Sequence, residues 1–502
     1  MGARFDIAGA RAKGYGPRTV PGRHFRKVPL MNAKPSTRGR SRAGTPQRAT
    51  GVQGDLSTPK TVSPGLPAAA SFDALELPPE LREAMTGLGV TEPFPIQAAT
   101  LPNALAGRDV LGRAQTGSGK TLAFGLALLV RTAGLRAESK RPLALVLVPT
   151  RELAQQVSDA LTPYAQTLEV RLTTAVGGLS INRQQAALRT GAEVVVATPG
   201  RLADLVSRRD CLLNHVRITV LDEADQMCDL GFLPQVTEIL DQMPTDGQRL
   251  LFSATLDRNV DQLVRDYLHD PVLASVDPAA ASVTTMEHHQ LNIHPADKYA
   301  TATEIAARDG RVLMFLDTKA AVDQFTRHLR ASGVRAGALH SGKSQPQRMH
   351  TLGQFKNGEI TVLVATNVAA RGIHIDTLDL VVNVDPPADG KDYLHRGGRT
   401  ARAGESGTVV TLVTPNQRRD VNRMMSEAGI RPTVTQVRSG EAQLTAITGA
   451  KRPPTATKST TGNIPFRGIG DRTGRPAKES RKAAEARKAA EARAAARVRK
   501  SR

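Results

Sequence analysis

The chain has 502 residues, two cysteines and a formal net charge of +21 at pH 7. Its length exceeds what one ordinary hydrophobic core organises and predicts two domains plus tails. Cys211 and Cys228 form no CxxC pair and have no flanking His cluster, so neither a disulfide framework nor a zinc site is expected, and no apolar run reaches the length of a membrane span; a cytoplasmic chain in a reducing compartment, with no membrane partner, is the reading.

Residues 1–70 carry 13 Lys and Arg against 2 acidic residues, and residues 451–502 carry 16 against 4, which leaves residues 71–450 near neutral. Residues 1–70 are rich in Gly, Pro, Arg, Ser and Thr without apolar periodicity, and this basic extension is expected to stay disordered. From residue 71, short apolar runs at 109–111, 143–148, 194–197, 216–221 and 250–252 alternate with amphipathic segments. That rhythm predicts buried parallel strands joined by helices. It breaks at 277–295, which reads as a linker, and resumes with runs at 312–316, 361–365, 380–384 and 409–413. Two α/β domains in tandem follow, at 71–276 and 296–437. Residues 438–502 form a basic C-terminal tail, and its Ala, Arg, Lys and Glu-rich end at 479–500 has no apolar stripe to dock a helix. Such tails attract polyanions through counterion release; a solubility role explains them equally well.

The first chemistry-bearing motif follows the run at 109–111. Ala114, Gln115, Thr116, Gly117, Ser118, Gly119, Lys120 and Thr121 lie between a strand and an apolar helix, the context of a phosphate-binding loop. Gly117 and Gly119 let backbone N–H groups face phosphates, Lys120 reaches the β and γ oxygens, and Thr121 is placed to hold Mg²⁺. Ala114 stands where the pattern has its first Gly. Downstream, Asp222, Glu223, Ala224 and Asp225 end another strand. Asp222 would hold Mg²⁺ through water and Glu223 would orient and deprotonate an attacking water, as in-line phosphoryl transfer requires.

With these motifs in this order the sequence resembles the DEAD-box RNA helicases over residues 71–437. Phe72 and the segment 89–97 resemble the adenine-reading Q motif, with Gln97 as the side chain that would bond both polar edge groups of adenine. Pro149, Thr150, Arg151, Glu152 and Leu153, then Gly177 and Gly178, then Thr198, Pro199, Gly200 and Arg201, are similar to elements that grip the RNA backbone. Ser253, Ala254 and Thr255 resemble the segment coupling hydrolysis to strand separation, together with Asp225. In the second domain, residues 315–319 with Thr318, Gln345 with Arg348, residues 365–372 with Thr366 and Arg371, and residues 395–402 occupy matching positions. The resemblance implies RNA contacts at Thr318, Gln345, Arg348 and Thr366, coupling through His395 and Arg371, and arginine fingers at Arg399 and Arg402. It implies two RecA-like domains with parallel β-sheets, Mg²⁺ and ATP as cofactors, and RNA of low sequence specificity as partner. Ribosomes or mRNA-decay complexes suit the basic tails.

The wording departs from the family at several places. Val90 replaces an aromatic, Phe94 replaces a Thr, and Asn367 and His374 replace acids, the second of which would touch the ATP ribose. Asp376, two residues on, would take that contact from an extended segment. Gly397 and Ala401 are also unusual, though small. Two rival readings use the same motifs: an RNA annealer whose tails act alone, and a double-stranded DNA translocase on the same architecture.

Overall fold

The computed structural model describes residues 63–114, 117–276, 286–370, 378–400 and 407–454. In the first lobe the strands are β1 (Val110–Arg113), β2 (Ala144–Leu147), β3 (Leu172–Ala175), β4 (Val194–Ala197), β5 (Ile218–Leu221), β6 (Gln248–Ser253) and β7 (Val272–Ser275). In the second they are β8 (Met286–Asn292), β9 (Val312–Phe315), β10 (Ala336–Leu339), β11 (Val362–Ala365), β12 (Leu380–Asn383), β13 (Gly407–Val413) and β14 (Thr433–Gln436). The first sheet runs β3-β4-β2-β5-β6-β1-β7 and the second β10-β11-β9-β12-β13-β8-β14, so the same order is used twice. Every pairing is parallel.

The sequence dictates this layering locally. Every residue of β2, β4 and β5 is buried, because helices cover both faces of a parallel sheet and strand residues point alternately into two cores. Val110 enters one core and Leu111 the other; Leu380 and Val382 enter one core of the second lobe and Val381 the other. Among the described residues no helix is long and apolar enough to cross a membrane.

Three expected boundaries move. Residues 63–70, expected to be disordered, run along the first lobe: Ser63 N donates to Pro271 O (3.1 Å), Leu66 N to Asn103 Oδ1 (2.9 Å) and Ala69 N to Ala98 O (2.9 Å). Backbone hydrogen bonds order a segment that lacks an apolar stripe. The expected linker at 277–295 contains β8, which pairs with β13 and β14, so the second sheet begins at Met286; residues 277–285 lie outside the described residues. The expected tail from 438 includes the helix Ala442–Thr448, whose Leu444, with Ala450 beyond it, is buried in the second lobe's core. Seven residues are too few to display helical periodicity. The remaining parts of both tails lie outside the described residues.

Candidate nucleotide site and lobe interface

The strand β1 delivers the chain to Ala114 and the helix Lys120–Thr132 begins directly after Gly119. Gly119 sits at φ +88°, and a Cβ there would come within 2.5 Å of Gln97 Nε2 and 2.7 Å of the Phe94 ring. Both conformation and space therefore demand glycine. Lys120 is buried and its Nζ donates to Ala114 O at 3.1 Å, so the ammonium lies over the loop instead of in solvent. Gln115 and Thr116 lie outside the described residues.

A cavity is lined by Gly117, Gly119, Lys120, Thr121, Asp222 and Glu223, so six residues chosen from two separate motifs converge on one space. Phe94 and Leu122 add apolar walls, and Leu153, Gln156 and Ala160 approach from the helix Arg151–Thr167. Gln156 and Ala160 were not anticipated, and Leu153 was expected only within the RNA-gripping motif. Their spacing of three and four residues is one face of a helix, which a helical wheel would have grouped.

Asp222 lies just past the carboxyl end of β5 and is 2% exposed. Burial pushes its carboxyl up to about 7; Lys120 opposes that shift, and the neighbouring Glu223 and Asp225 charges reinforce it. Glu223 N donates to Asp222 Oδ1 at 3.0 Å. Glu223 has left-handed backbone angles, φ 53° and ψ 51°, a conformation costing a non-glycine residue about 1–3 kcal/mol and commonest at functional sites. The Asp222 carboxylate and the Thr121 hydroxyl are hard oxygens of the kind that would suit Mg²⁺ shared with phosphates.

Four of the five expected coupling residues, Asp225, Ser253, Thr255 and His395, lie together. Asp225, 1% exposed, accepts from Thr255 N (3.0 Å) and Thr255 Oγ1 (2.9 Å), and its own N–H donates to Ser253 Oγ (3.3 Å). Ser253 Oγ in turn donates to Thr255 O at 2.7 Å. From the second lobe His395 Nε2 lies 3.9 Å from Asp225 Oδ2. Arg399 is buried and its Nε donates to His395 O at 3.3 Å. Arg371, Asp376 and Arg402 lie outside the described residues, as does His374.

Gln345 and Arg348 meet the other lobe: Gln345 Nε2 donates to Glu152 Oε1 and Arg348 Nη2 to Glu152 Oε2, each at 2.8 Å and buried. A buried guanidinium requires a carboxylate partner, and Glu152 of the first lobe supplies it. Phe72 is 5% exposed and belongs to the first lobe's core. Gln97 is 1% exposed, accepts from Phe94 N (2.9 Å) and donates to Gly119 O (3.0 Å), so here it braces the phosphate loop from the helix Pro95–Leu105.

The remaining RNA candidates share an arrangement. Thr150, Thr198 and Thr318 each precede a helix that leaves the carboxyl end of β2, β4 or β9, and Thr366 follows β11 in the same way. Thr150 and Thr318 cap their helices, accepting from Leu153 N (3.2 Å) and Ala321 N (3.1 Å). Arg151 packs over Gly177 and Gly178; a Cβ on Gly178, at φ +76°, would lie 2.3 Å from its Nη1. Arg201 Nη1 donates to Gln184 Oε1 at 3.1 Å.

Comparison with known proteins agrees with this geometry. The DEAD/DEAH box helicase family model matches residues 94–263, and the helicase conserved C-terminal domain model matches residues 297–404. The DEAD-box ATP-dependent RNA helicase CshA of Bacillus licheniformis is 38% identical over 384 residues, covering 75% of this chain and 78% of that protein. DEAD-box ATP-dependent RNA helicase 30 of Arabidopsis thaliana is 40% identical over 375 residues, covering 72% of this chain and 64% of that protein. The solved structure of S. cerevisiae Dbp5 bound to RNA and ADP BeF3 superposes with a TM-score of 0.67 at 30% identity, covering 73% of this chain and 96% of that one. The chain belongs to the DEAD-box ATP-dependent RNA helicases, and its two lobes are the tandem RecA-like domains of that family.

Proposed function

We propose that the chain closes its two lobes over Mg-ATP and an RNA strand, separates short duplexes locally, and reopens on hydrolysis, thereby remodelling RNA and its protein complexes. The observation that carries this reading is Asp225: it adjoins the catalytic Glu223, bonds Thr255, and lies 3.9 Å from His395 of the other lobe. Nucleotide state and lobe position thus share one carboxylate.

In this cycle the loop N–H groups and Lys120 hold the phosphates, and Thr121 and Asp222 would hold Mg²⁺. The ion would polarise the γ-phosphate and neutralise its developing charge. Glu223 orients the attacking water and accepts its proton, while Arg399 and Arg402 bring positive charge from the second lobe only on closure. Gln97 has one amide hydrogen and one lone pair beyond its present bonds, which would select adenine, with Asp376 at the ribose. The helix N-termini at Thr150, Thr198, Thr318 and Thr366, with Arg151, Gly178 and Arg201, face RNA phosphates and sugars, so sequence preference is low. The basic tails raise local affinity for RNA, with ribosomes or mRNA-decay assemblies in the cytoplasm as settings.

The test is steady-state Mg-ATP turnover with single-stranded RNA, with DNA of the same sequence, and with Glu223→Gln. RNA alone should stimulate turnover, and the variant should lose about 10²–10⁴-fold. Equal stimulation by DNA, or activity surviving in the variant, contradicts the reading.

A further inference from the structure

Lys391 is a second-lobe cation that the mechanism above does not use. It is the second residue of the helix Gly390–Gly397, and its Nζ lies 2.9 Å from Asp229 Oδ1 and 2.7 Å from Asp257 Oδ2, both in the first lobe. Asp229 ends the helix Ala224–Asp229, which starts at the Asp222–Asp225 motif. Asp257 lies two residues past Thr255 and caps the helix Arg258–Tyr267, accepting from Asn259 N and Val260 N at 3.0 Å each. One ammonium therefore grips both first-lobe elements that Asp225, Ser253 and Thr255 tie together.

The spacing gives this grip a direction. Asp225 and Asp229 are four residues apart on one helix, and His395 and Lys391 are four apart on the other, so each pair shares a helix face. Asp225 faces His395 and Asp229 faces Lys391, which makes two rungs, one turn apart, between short antiparallel segments of different lobes. Arg399 lies four residues beyond His395 and bonds its carbonyl. We infer that Lys391, with Asp229 and Asp257, is a positioning clamp that aligns the segment bearing His395 and Arg399 when the lobes close, and so sets the strength of coupling between ATP and RNA.

The electrostatics fit such a clamp. Burial alone would lower the Lys391 pKa, but the carboxylates of Asp257 and Asp229 outweigh it and hold the ammonium above its ordinary value. Burial alone would raise the Asp257 pKa, but the bond and charge of Lys391 together with the Val260 and Asn259 backbone N–H groups outweigh it and hold the carboxyl below its ordinary value. All three side chains are one-fifth to one-third exposed, so the clamp is screened by salt only in part.

This inference rests on the lobe-closure reading, and the experiment separates the two. RNA affinity of the full chain is measured by fluorescence anisotropy with and without ADP–beryllium fluoride, and their ratio is the coupling factor. Lys391→Met should lower that factor on the order of fivefold to tenfold, and Lys391→Arg should retain most of it. Lys391→Glu should abolish it, and adding Asp229→Lys should restore part. If Lys391→Met lowers the thermal midpoint, Asp229→Asn makes the same test from the other lobe. An unchanged coupling factor in folded Lys391→Met or Asp229→Asn overturns the clamp, as does a double variant no better than Lys391→Glu. A wild-type factor of one would overturn the closure reading instead.

Discussion

The two lobes use one strand order for different chemistry. In the first, β1 leads into the phosphate loop; in the second, its counterpart β8 leads into Ile293, His294 and Pro295, with no glycine-rich turn. The first lobe buries Asp222, Glu223 and Asp225 around Lys120. The second turns cations toward it: among the described residues, the lobe–lobe ion pairs of Arg and Lys set Arg348 and Lys391 on first-lobe carboxylates, and His395 Nε2 lies 3.9 Å from Asp225 Oδ2. In the proposed cycle a duplicated scaffold divides the work, one copy holding the nucleotide and the other supplying charge on closure.

The largest break in this division should come from Glu152. Glu152→Ala leaves Arg348 buried without its carboxylate in the closed form, a loss of about 3–5 kcal/mol for pairs of this kind. RNA affinity in the presence of ATP should fall roughly 10²-fold or more, and combining it with Arg348→Ala should cost far less than the sum of the two. Additive losses in that double-mutant cycle would show that the two groups act separately.

A second test addresses the acid-laden first lobe. Asp222 is raised from 3.8 to about 7, so the folded chain binds this proton more tightly than the unfolded one. Its stability penalty is full above pH 7 and fades as pH falls toward 4. Asp222→Asn, in EDTA without nucleotide, should therefore raise the thermal midpoint by a few degrees at pH 8, with the gain vanishing near pH 4. A gain independent of pH removes the electrostatic cause. The smallest effect belongs to Phe94, an exposed apolar wall of the cavity. Phe94→Ala should raise KM for ATP a few-fold with kcat nearly unchanged, because it removes ground-state and transition-state contact alike; a matching fall in kcat would place Phe94 closer to the chemistry.

The tandem fold was legible where strands are buried on both faces, as in the Val-Val-Val-Ala of β4. It was not legible at β3, β10 and β14, which are sheet-edge or small-residue strands, half exposed at β3 and mostly exposed at β14. The strand β8 reads Met-Glu-His-His-Gln-Leu-Asn, too polar for hydropathy to find, yet it lies inside the sheet. Its His288 bonds the buried Tyr393 hydroxyl at 2.9 Å, a partner 105 residues away that no local pattern reveals. The convergence of Gly117, Gly119, Lys120, Thr121, Asp222 and Glu223 on one cavity was legible because phosphate geometry would demand glycine, lysine and paired acids at fixed spacing. Gln345 and Arg348 stand out as a motif, but their partner Glu152 lies nearly two hundred residues upstream, and a sequence motif does not say what its side chains face.

We propose that closure makes ATP and RNA binding one event. It is tested most directly by titrating RNA against the full-length chain with and without ADP–beryllium fluoride, and the nucleotide analogue with and without RNA. Each ligand should tighten the other by the same factor, at least about fivefold. Affinities that ignore the second ligand would contradict it.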